Sequence, residues 1–199
     1  MKAICRNTGI VISLVVLCLT SKEQPALNMS LLHNARLWNA STEKSESLKL
    51  FQDNKKLLVF VFISPECPLC KNYSLVLNEL QKQYAGSVRL TGIVPGKSYS
   101  SAEVKEYMRK YKIDFDIYID SARSISGLLQ AKVTPEVFLI VPNGFIVYHG
   151  AIDNWIKQLG TTSGKTTEFY LSDAIDRSLA SKPVNLHFKK PVGCLINDY

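Results

Sequence analysis

Short, continuously apolar runs recur along the chain and predict strands that are buried in a sheet. The clearest is LLVFVFI (residues 57–63), which is rich in Val, Ile and Phe, as expected of a strand covered on both faces. Two further strand segments follow, SVRLTGIVPG and FDIYID, and EVFLIVPNGFIVYHG predicts two strands joined by a turn at Pro142-Asn143-Gly144. The pattern therefore predicts a sheet whose last two strands form a hairpin.

Between these runs, apolar residues recur at helical spacing. KNYSLVLNELQKQYAG carries apolar and aromatic residues on one helical face before Gly86 ends the helix. SSAEVKEYMRKYK begins with Ser100 three positions before Glu103, which is the pattern of a capping box. SARSISGLLQ and TTEFYLSDAIDRSLASK predict two more helices. Alternating strands and helices predict an α/β fold with a central mixed β-sheet flanked by helices, followed by a C-terminal helix and an extended tail.

The first residues have the pattern of an export signal. Lys2 and Arg6 precede an apolar run at residues 9–19, and polar residues follow it. The run is shorter than the roughly 20 apolar residues that a transmembrane helix needs. Cys18 lies where a lipoprotein would carry its lipidated cysteine. Simple cleavage, lipid anchoring and an uncleaved membrane anchor all stay open, and all three place the remaining chain on the periplasmic side of the cell envelope.

The chain divides into four parts. Residues 1–20 are the leader or anchor, and residues 21–46 are polar and predict a tether that leads into an entry segment ahead of the domain. Residues 47–182 form the α/β domain, and residues 183–199 are the extended tail, which carries Cys194.

Composition and charge exclude several classes of protein. With 46% hydrophobic and 21% charged residues, the chain is neither disordered nor a membrane bundle. The net charge is +7, but Lys and Arg are mixed with acidic residues and form no basic block interleaved with aromatic residues. We therefore expect no nucleic-acid partner.

Two cysteines stand where the first buried strand gives way to a helix, in SPECPLCKNY (residues 64–73). At a helix N-terminus the unpaired backbone N–H groups and the helix dipole stabilise the thiolate of Cys67 and lower its pKa. Cys70, one turn later, is close enough to form a disulfide with it, and Pro68 suits the first helical turn. This arrangement predicts an attacking thiol and a resolving thiol.

Two other interpretations of the cysteine pair remain open. A structural zinc site needs a second Cys/His pair at similar spacing, which the chain lacks. Cys67, Cys70 and His149 would instead offer two thiolates and an imidazole, which suit Cu(I). The pair could also be purely structural. The redox interpretation requires no cofactor beyond the disulfide itself.

A second motif, VTPEVFLI, places Thr134-Pro135 directly before an apolar strand. Proline at the start of a strand marks an edge, a bulge or a special turn, and a cis X-Pro bond is one such turn. The alternative is an ordinary strand start.

Taken together, CPLC, VTPEVFLIVPNGFIVYHG and the order of the elements resemble the thioredoxin-like redoxin family over about residues 48–179. The family includes thiol–disulfide oxidoreductases of the bacterial cell envelope and alkyl-hydroperoxide-reductase-type proteins. The resemblance implies that Cys67 is the nucleophile and Cys70 the resolving cysteine. It also implies that Pro135 is a cis-proline packed against the dithiol and that Thr134 offers backbone contacts to a bound chain. The resemblance also implies that the partners are small thiols or proteins that contain thiols or disulfides.

The sequence departs from this family in two places. Thioredoxins carry a buried acid six positions before the first cysteine, where this chain has Val61. Tryptophan commonly precedes the motif, whereas here Glu66 does, and a carboxylate beside Cys67 opposes thiolate formation.

A thiol peroxidase is the alternative function. It needs Ser or Thr three residues before the attacking cysteine, and Ser64 satisfies this, but Phe60 replaces the proline expected earlier in that motif. Arg123 is the candidate for polarising a peroxide, although a position on a helix surface explains it more simply. The ending KPVGCLI is similar to that of some bacterial envelope members, so Cys194 is either a third redox thiol, a ligand or a small apolar tail residue.

Overall fold

The computed structural model describes residues 26–196. Its helices and strands follow one another as α1 (Met29–Asn34), β1 (Arg36–Asn39), β2 (Lys44–Ser47), β3 (Leu57–Phe62), α2 (Pro68–Tyr84), β4 (Val88–Pro95), α3 (Ser101–Tyr111), β5 (Ile117–Asp120), α4 (Ser124–Leu129), β6 (Val133–Thr134), β7 (Glu136–Ile140), β8 (Ile146–Gly150), β9 (Ile156–Gln158), β10 (Thr161–Thr162), α5 (Tyr170–Leu179), β11 (Phe188–Lys189) and β12 (Cys194–Leu195).

Eight of these strands form one mixed sheet in the order β11-β8-β7-β3-β4-β5-β1-β2. Strands β3, β4 and β5 are parallel, and β7 joins β3 in the antiparallel sense. The central mixed sheet flanked by helices confirms the predicted α/β class. β3 lies inside the sheet, and all six of its residues are buried, as its continuous apolar run predicts.

Successive side chains of β3 point to opposite faces of the sheet and enter two separate cores. Val59 and Val61 face a core that includes buried residues of α2, α3 and α5. Leu58, Phe60 and Phe62 face a second core, to which α1 and α4 contribute. Helices therefore cover both faces, and the end of β3 emerges between them.

Several local predictions are confirmed. The hydroxyl oxygen of Ser100 accepts a hydrogen bond from the N–H of Glu103, whose carboxylate accepts one from the N–H of Ser100, so the capping box that starts α3 is complete. The hairpin between β7 and β8 turns at the predicted residues, and Gly144 there has φ +85°, which favours glycine. The Thr134-Pro135 peptide bond is cis.

The segment expected to be a tether departs from prediction. Residues 29–47 form α1 and the hairpin β1–β2, and β1 pairs with β5 inside the main sheet. Leu32 and Leu37 are buried here. Two four-residue strands with only a few apolar positions give too short an alternation to predict a strand. The domain therefore begins well before residue 47.

The predicted leader lies outside the described residues. Within residues 26–196, no helix is both long and apolar enough to cross a membrane.

The extended tail is placed by two short strands. β11 runs parallel to β8 at the edge of the main sheet, and β12 pairs antiparallel with β6 in a small sheet of its own. Gly150 of β8 has φ +122°, and a Cβ atom there would collide with the carbonyl oxygen of Lys189. Glycine at this position allows the tail to lie against the sheet edge.

Candidate functional site

Cys67 stands at the junction between β3 and α2. It is the N-cap residue of α2, Pro68 is the first helical residue, and the Cys67 N–H donates to the carbonyl oxygen of Ser64 at 3.1 Å. The Sγ atom lies 3.1 Å from the carbonyl oxygen of Thr134. The cysteine is therefore held at the positive end of a 17-residue helix, beside the backbone that precedes Pro135.

Cys67 forms a disulfide with Cys194 of the tail. The two Cα atoms are 6.1 Å apart, within the normal range for a disulfide, although the residues are 127 positions apart in sequence. The pairing of β12 with β6 places Cys194 opposite Thr134 and so brings its sulfur to Cys67. The sequence predicted a pair between Cys67 and Cys70, whereas in this structure Cys194 is the partner.

Cys70 is a free thiol beneath this disulfide. It is only 1% exposed, and its Sγ atom lies 3.5 Å from the backbone N–H of Ser64. Burial raises the pKa of the Cys70 thiol to about 11, and the N–H of Ser64 and the side chain of Thr134 offset this only in part. At neutral pH the thiol is therefore protonated. Cys67, Cys194 and the free thiol of Cys70 therefore lie together at this site.

The carbonyl oxygen of Thr134 lies next to the sulfur of Cys67, and the peptide bond that follows it, to Pro135, is cis. Thr134 is buried, and its backbone is paired on one side with the tail. The residue after the cis-proline, Glu136, is also buried, and its carboxylate accepts hydrogen bonds from the N–H groups of Lys132 and Val133 at 2.8 and 3.4 Å. Burial raises the pKa of Glu136. This carboxylate holds β6 in the conformation that receives the tail.

Glu136 is a site residue that the sequence analysis missed. The sequence does carry a signal for it, since Glu136 is an acidic residue at the start of the otherwise apolar strand EVFLI. A charged residue is rarely buried unless it is paired, so an acid at this position indicates specific hydrogen-bond partners. A second missed contact involves α2, where the Tyr73 hydroxyl donates to the buried carboxylate of Asp153 at 2.5 Å. The Asp153 carboxylate also accepts from the N–H of Trp155, whose ring packs edge-on against Tyr73.

Of the residues considered for peroxide chemistry, Ser64 lies beside Cys67 and Arg123 belongs to another element. The Ser64 hydroxyl is hydrogen-bonded to the hydroxyl of Tyr99 at 2.7 Å, and Glu66 is exposed. Arg123 is the N-cap residue of α4, after β5, and β4 separates β5 from β3 in the sheet. Val61, at the position where thioredoxins carry a buried acid, is itself fully buried in the core.

The alternative copper ligands are not brought together. His149 lies on β8, and its ring stacks on Phe138 and Phe188 at centroid distances of 5.4 and 4.7 Å. It pairs with Phe138 across the hairpin and so faces the second core, whereas Cys67 and Cys70 belong to the first. Within residues 26–196, no group of three or more His, Cys, Asp or Glu side chains is arranged to hold a metal ion.

The sequence model of the AhpC/TSA family matches residues 24–149, more than half of the chain. This chain belongs to the AhpC/TSA family. A search of curated proteins found no match to this chain.

Solved structures agree with the family assignment at the level of the fold. An uncharacterized conserved protein from Geobacillus kaustophilus is 20% identical, with a TM-score of 0.70 over 82% of this chain and 88% of that chain. A hypothetical protein from Sinorhizobium meliloti is 24% identical, with a TM-score of 0.70 over 81% and 89%. A secreted Mycobacterium tuberculosis disulfide oxidoreductase homologous to Escherichia coli DsbE is 16% identical, with a TM-score of 0.51 over 76% and 98%. The AhpC/TSA chain therefore has a thioredoxin-like fold.

The burial of Cys70 in this AhpC/TSA protein predicts how its thiol titrates. We expect the Cys70 thiolate to form with a midpoint of about 11, well above the ordinary value of 9.0, since burial disfavours the charged form. The thiolate absorbance of the oxidised protein, measured against pH and corrected with Cys70→Ser, reports this midpoint. A midpoint at or below 9.0 would show that the thiol is solvated or stabilised as an anion.

Proposed function

We propose that this protein is an exported thiol–disulfide oxidoreductase that exchanges electrons with thiols and disulfides of proteins or small molecules. Cys67 is the attacking residue, Cys70 is the resolving residue, and the backbone at Thr134-Pro135 receives the partner chain. Membership of the AhpC/TSA family and the thioredoxin-like fold support a redox enzyme in general.

The observation that carries the proposal is the disulfide between Cys67 and an extended strand. The sulfur of Cys67 is bonded to a cysteine whose backbone runs antiparallel beside Thr134. A mixed disulfide with a partner protein requires the same three features: a bonded Cys67, an extended chain beside it, and free backbone groups on β6 to pair with that chain. The tail supplies this arrangement from within the molecule.

The exchange proceeds in two displacement steps. The Cys67 thiolate attacks one sulfur of a partner disulfide, and the partner's other sulfur leaves as a thiolate and takes up a proton. Cys70 then loses its proton and attacks Cys67, so the partner leaves with both thiols reduced and the protein keeps a Cys67–Cys70 disulfide. The same steps run in reverse when the partner is a dithiol, and the relative reduction potentials set the direction.

The predicted leader supports an extracytoplasmic location, where disulfides persist. The secreted Mycobacterium tuberculosis oxidoreductase is a relative of the same fold in such a compartment. We propose the periplasmic side of the cell envelope, with the N-terminus as leader or anchor.

Substitution of the cysteines tests the proposal. We expect Cys67→Ser to lower the rate of insulin reduction and of glutathione exchange by about a thousandfold or more, because a hydroxyl does not form an anionic nucleophile at neutral pH. With a disulfide-containing peptide, the double variant Cys70→Ser/Cys194→Ser should accumulate a mixed disulfide on Cys67 that mass spectrometry detects, since both thiols that could resolve it have been removed.

The matched control is Cys5→Ser/Cys18→Ser, which removes the two leader cysteines and should leave both rates unchanged. Exchange that survives Cys67→Ser would refute the proposal.

A thiol peroxidase is the second candidate, and a bond between Cys67 and a distant cysteine favours it. In that reaction Cys67 would displace water from hydrogen peroxide and become a sulfenic acid, which the thiol of Cys194 would condense with, releasing a second water and forming the observed disulfide. The Ser64 hydroxyl is available in the same loop, although it is hydrogen-bonded to Tyr99.

Because the Ser64 hydroxyl is hydrogen-bonded to Tyr99 and Arg123 lies at the start of α4, after a strand that β4 separates from β3, we expect hydrogen peroxide to be consumed much more slowly than insulin is reduced at equal concentration. Peroxide consumption measured by stopped flow checks this. Fast turnover that is lost in Ser64→Ala would instead assign the protein as a peroxidase.

A further inference from the structure

The C-terminal tail (residues 183–196) is attached to the domain in two places. Its first strand, β11, forms the edge of the main sheet and pairs with β8 through backbone hydrogen bonds of 3.0 Å. Its second strand, β12, pairs antiparallel with β6, so that Cys194 lies opposite Thr134. The N–H of Ile196 then donates to the carbonyl oxygen of Lys132 at 3.0 Å. The tail therefore approaches the site along the backbone that leads into the cis-proline.

The residue before Cys194 leaves no room for a side chain. A Cβ atom on Gly193 would lie 2.5 Å from the carbonyl oxygen of Thr134 and 2.8 Å from its carbonyl carbon. Backbone atoms cannot move aside as the end of a flexible side chain can, so glycine is what lets the tail come this close. The tail is thus fitted in shape to β6, in addition to being bonded to Cys67.

The docked tail closes the site to large partners. Cys67 is 3% exposed and Thr134 is 2% exposed. A partner polypeptide needs the sulfur of Cys67 and the backbone of Thr134, and the tail occupies both.

We propose that residues 191–196 act as a tethered pseudosubstrate, which holds Cys67 in an internal mixed disulfide and excludes partners until Cys70 displaces Cys194. This rests on the proposed function, because it assumes that partners use the same edge of β6 and the same sulfur.

The opening step is a disulfide isomerisation that needs no external oxidant or reductant. Cys70 gives up its proton and its sulfur attacks Sγ of Cys67. The Cys67–Cys70 bond forms, the Cys67–Cys194 bond breaks, and Cys194 leaves as a thiolate that takes up a proton. A partner dithiol then reduces the Cys67–Cys70 disulfide and is itself oxidised, with two electrons passing to the protein.

The tether favours the closed form. β11 fixes the chain at Lys189, and Cys194 follows five positions later, so a released Cys194 stays close to Cys67. A short tether of this kind gives an effective concentration on the order of millimolar or higher. A partner at micromolar concentration therefore competes poorly until the tail is removed.

The test measures how fast the oxidised, full-length protein oxidises a reduced synthetic peptide that contains two cysteines. Cys194→Ser removes the covalent bond, and Gly193→Val prevents the tail from docking. Both should react at least about tenfold faster than the wild type, given the effective concentration that the tether supplies. Gly164→Val is the matched control. Gly164 has open space around it, so this variant should react at the wild-type rate.

Wild-type rates in both Cys194→Ser and Gly193→Val would overturn the pseudosubstrate. Cys67→Ser separates this result from failure of the proposed function: if Cys67→Ser is inactive while the tail variants match the wild type, thiol–disulfide exchange stands and only the tail proposal fails. If Cys67→Ser remains active, the proposed function fails as well.

A peptide experiment keeps the proposal testable if Gly193→Val does not fold. A synthetic copy of residues 191–196, with serine in place of the cysteine, should inhibit Cys194→Ser competitively with the dithiol peptide. The same copy with valine in place of the glycine should inhibit at least about tenfold less, because its side chain meets the Thr134 carbonyl. Equal inhibition by both copies would overturn the fit between the tail and β6.

Discussion

The antiparallel pairing of β3 with β7 is the constraint on which the site depends. Its register sets Phe62 opposite Glu136, so the residues that follow β3 and those that precede β7 meet at the same end of the sheet. Cys67 and Thr134 are 67 positions apart in sequence, yet this register brings the sulfur of one within 3.1 Å of the carbonyl oxygen of the other. Both strands are almost completely buried, which keeps the register from slipping.

The tail depends on this end of the sheet but adds little rigidity of its own. β12 is two residues long, and Leu195 is 74% exposed. Few backbone hydrogen bonds and little buried apolar surface hold such a strand, so the disulfide and the close fit at Gly193 hold it in place. The tail therefore stays docked while Cys194 is bonded to Cys67 and is released when Cys70 replaces Cys194 in that bond. This suits a segment that must leave the site before a partner can enter it.

The sequence predicted the parts of the site that local patterns determine. The apolar run of β3, the proline at the start of α2 and the Thr134-Pro135 pair each carry a signal within a few residues, and they gave the thioredoxin-like arrangement. The partner of Cys67 carries no such signal, because the position of Cys194 depends on β11 at a distant sheet edge. The prediction of a tether at residues 21–46 was wrong over residues 29–46 for a related reason. Leu32 and Leu37 are buried by contacts with distant segments, and a short, mostly polar stretch gives no local signal of such contacts.

Disulfide mapping of the oxidised full-length protein, by proteolysis at acidic pH and mass spectrometry, tests the central claim most directly. We expect a Cys67–Cys194 linked peptide and a free Cys70 in the wild type, and a Cys67–Cys70 bond in Cys194→Ser, because both other cysteines form their disulfide with Cys67. An unpaired Cys67, or a Cys194 that is never linked to it, would contradict the account.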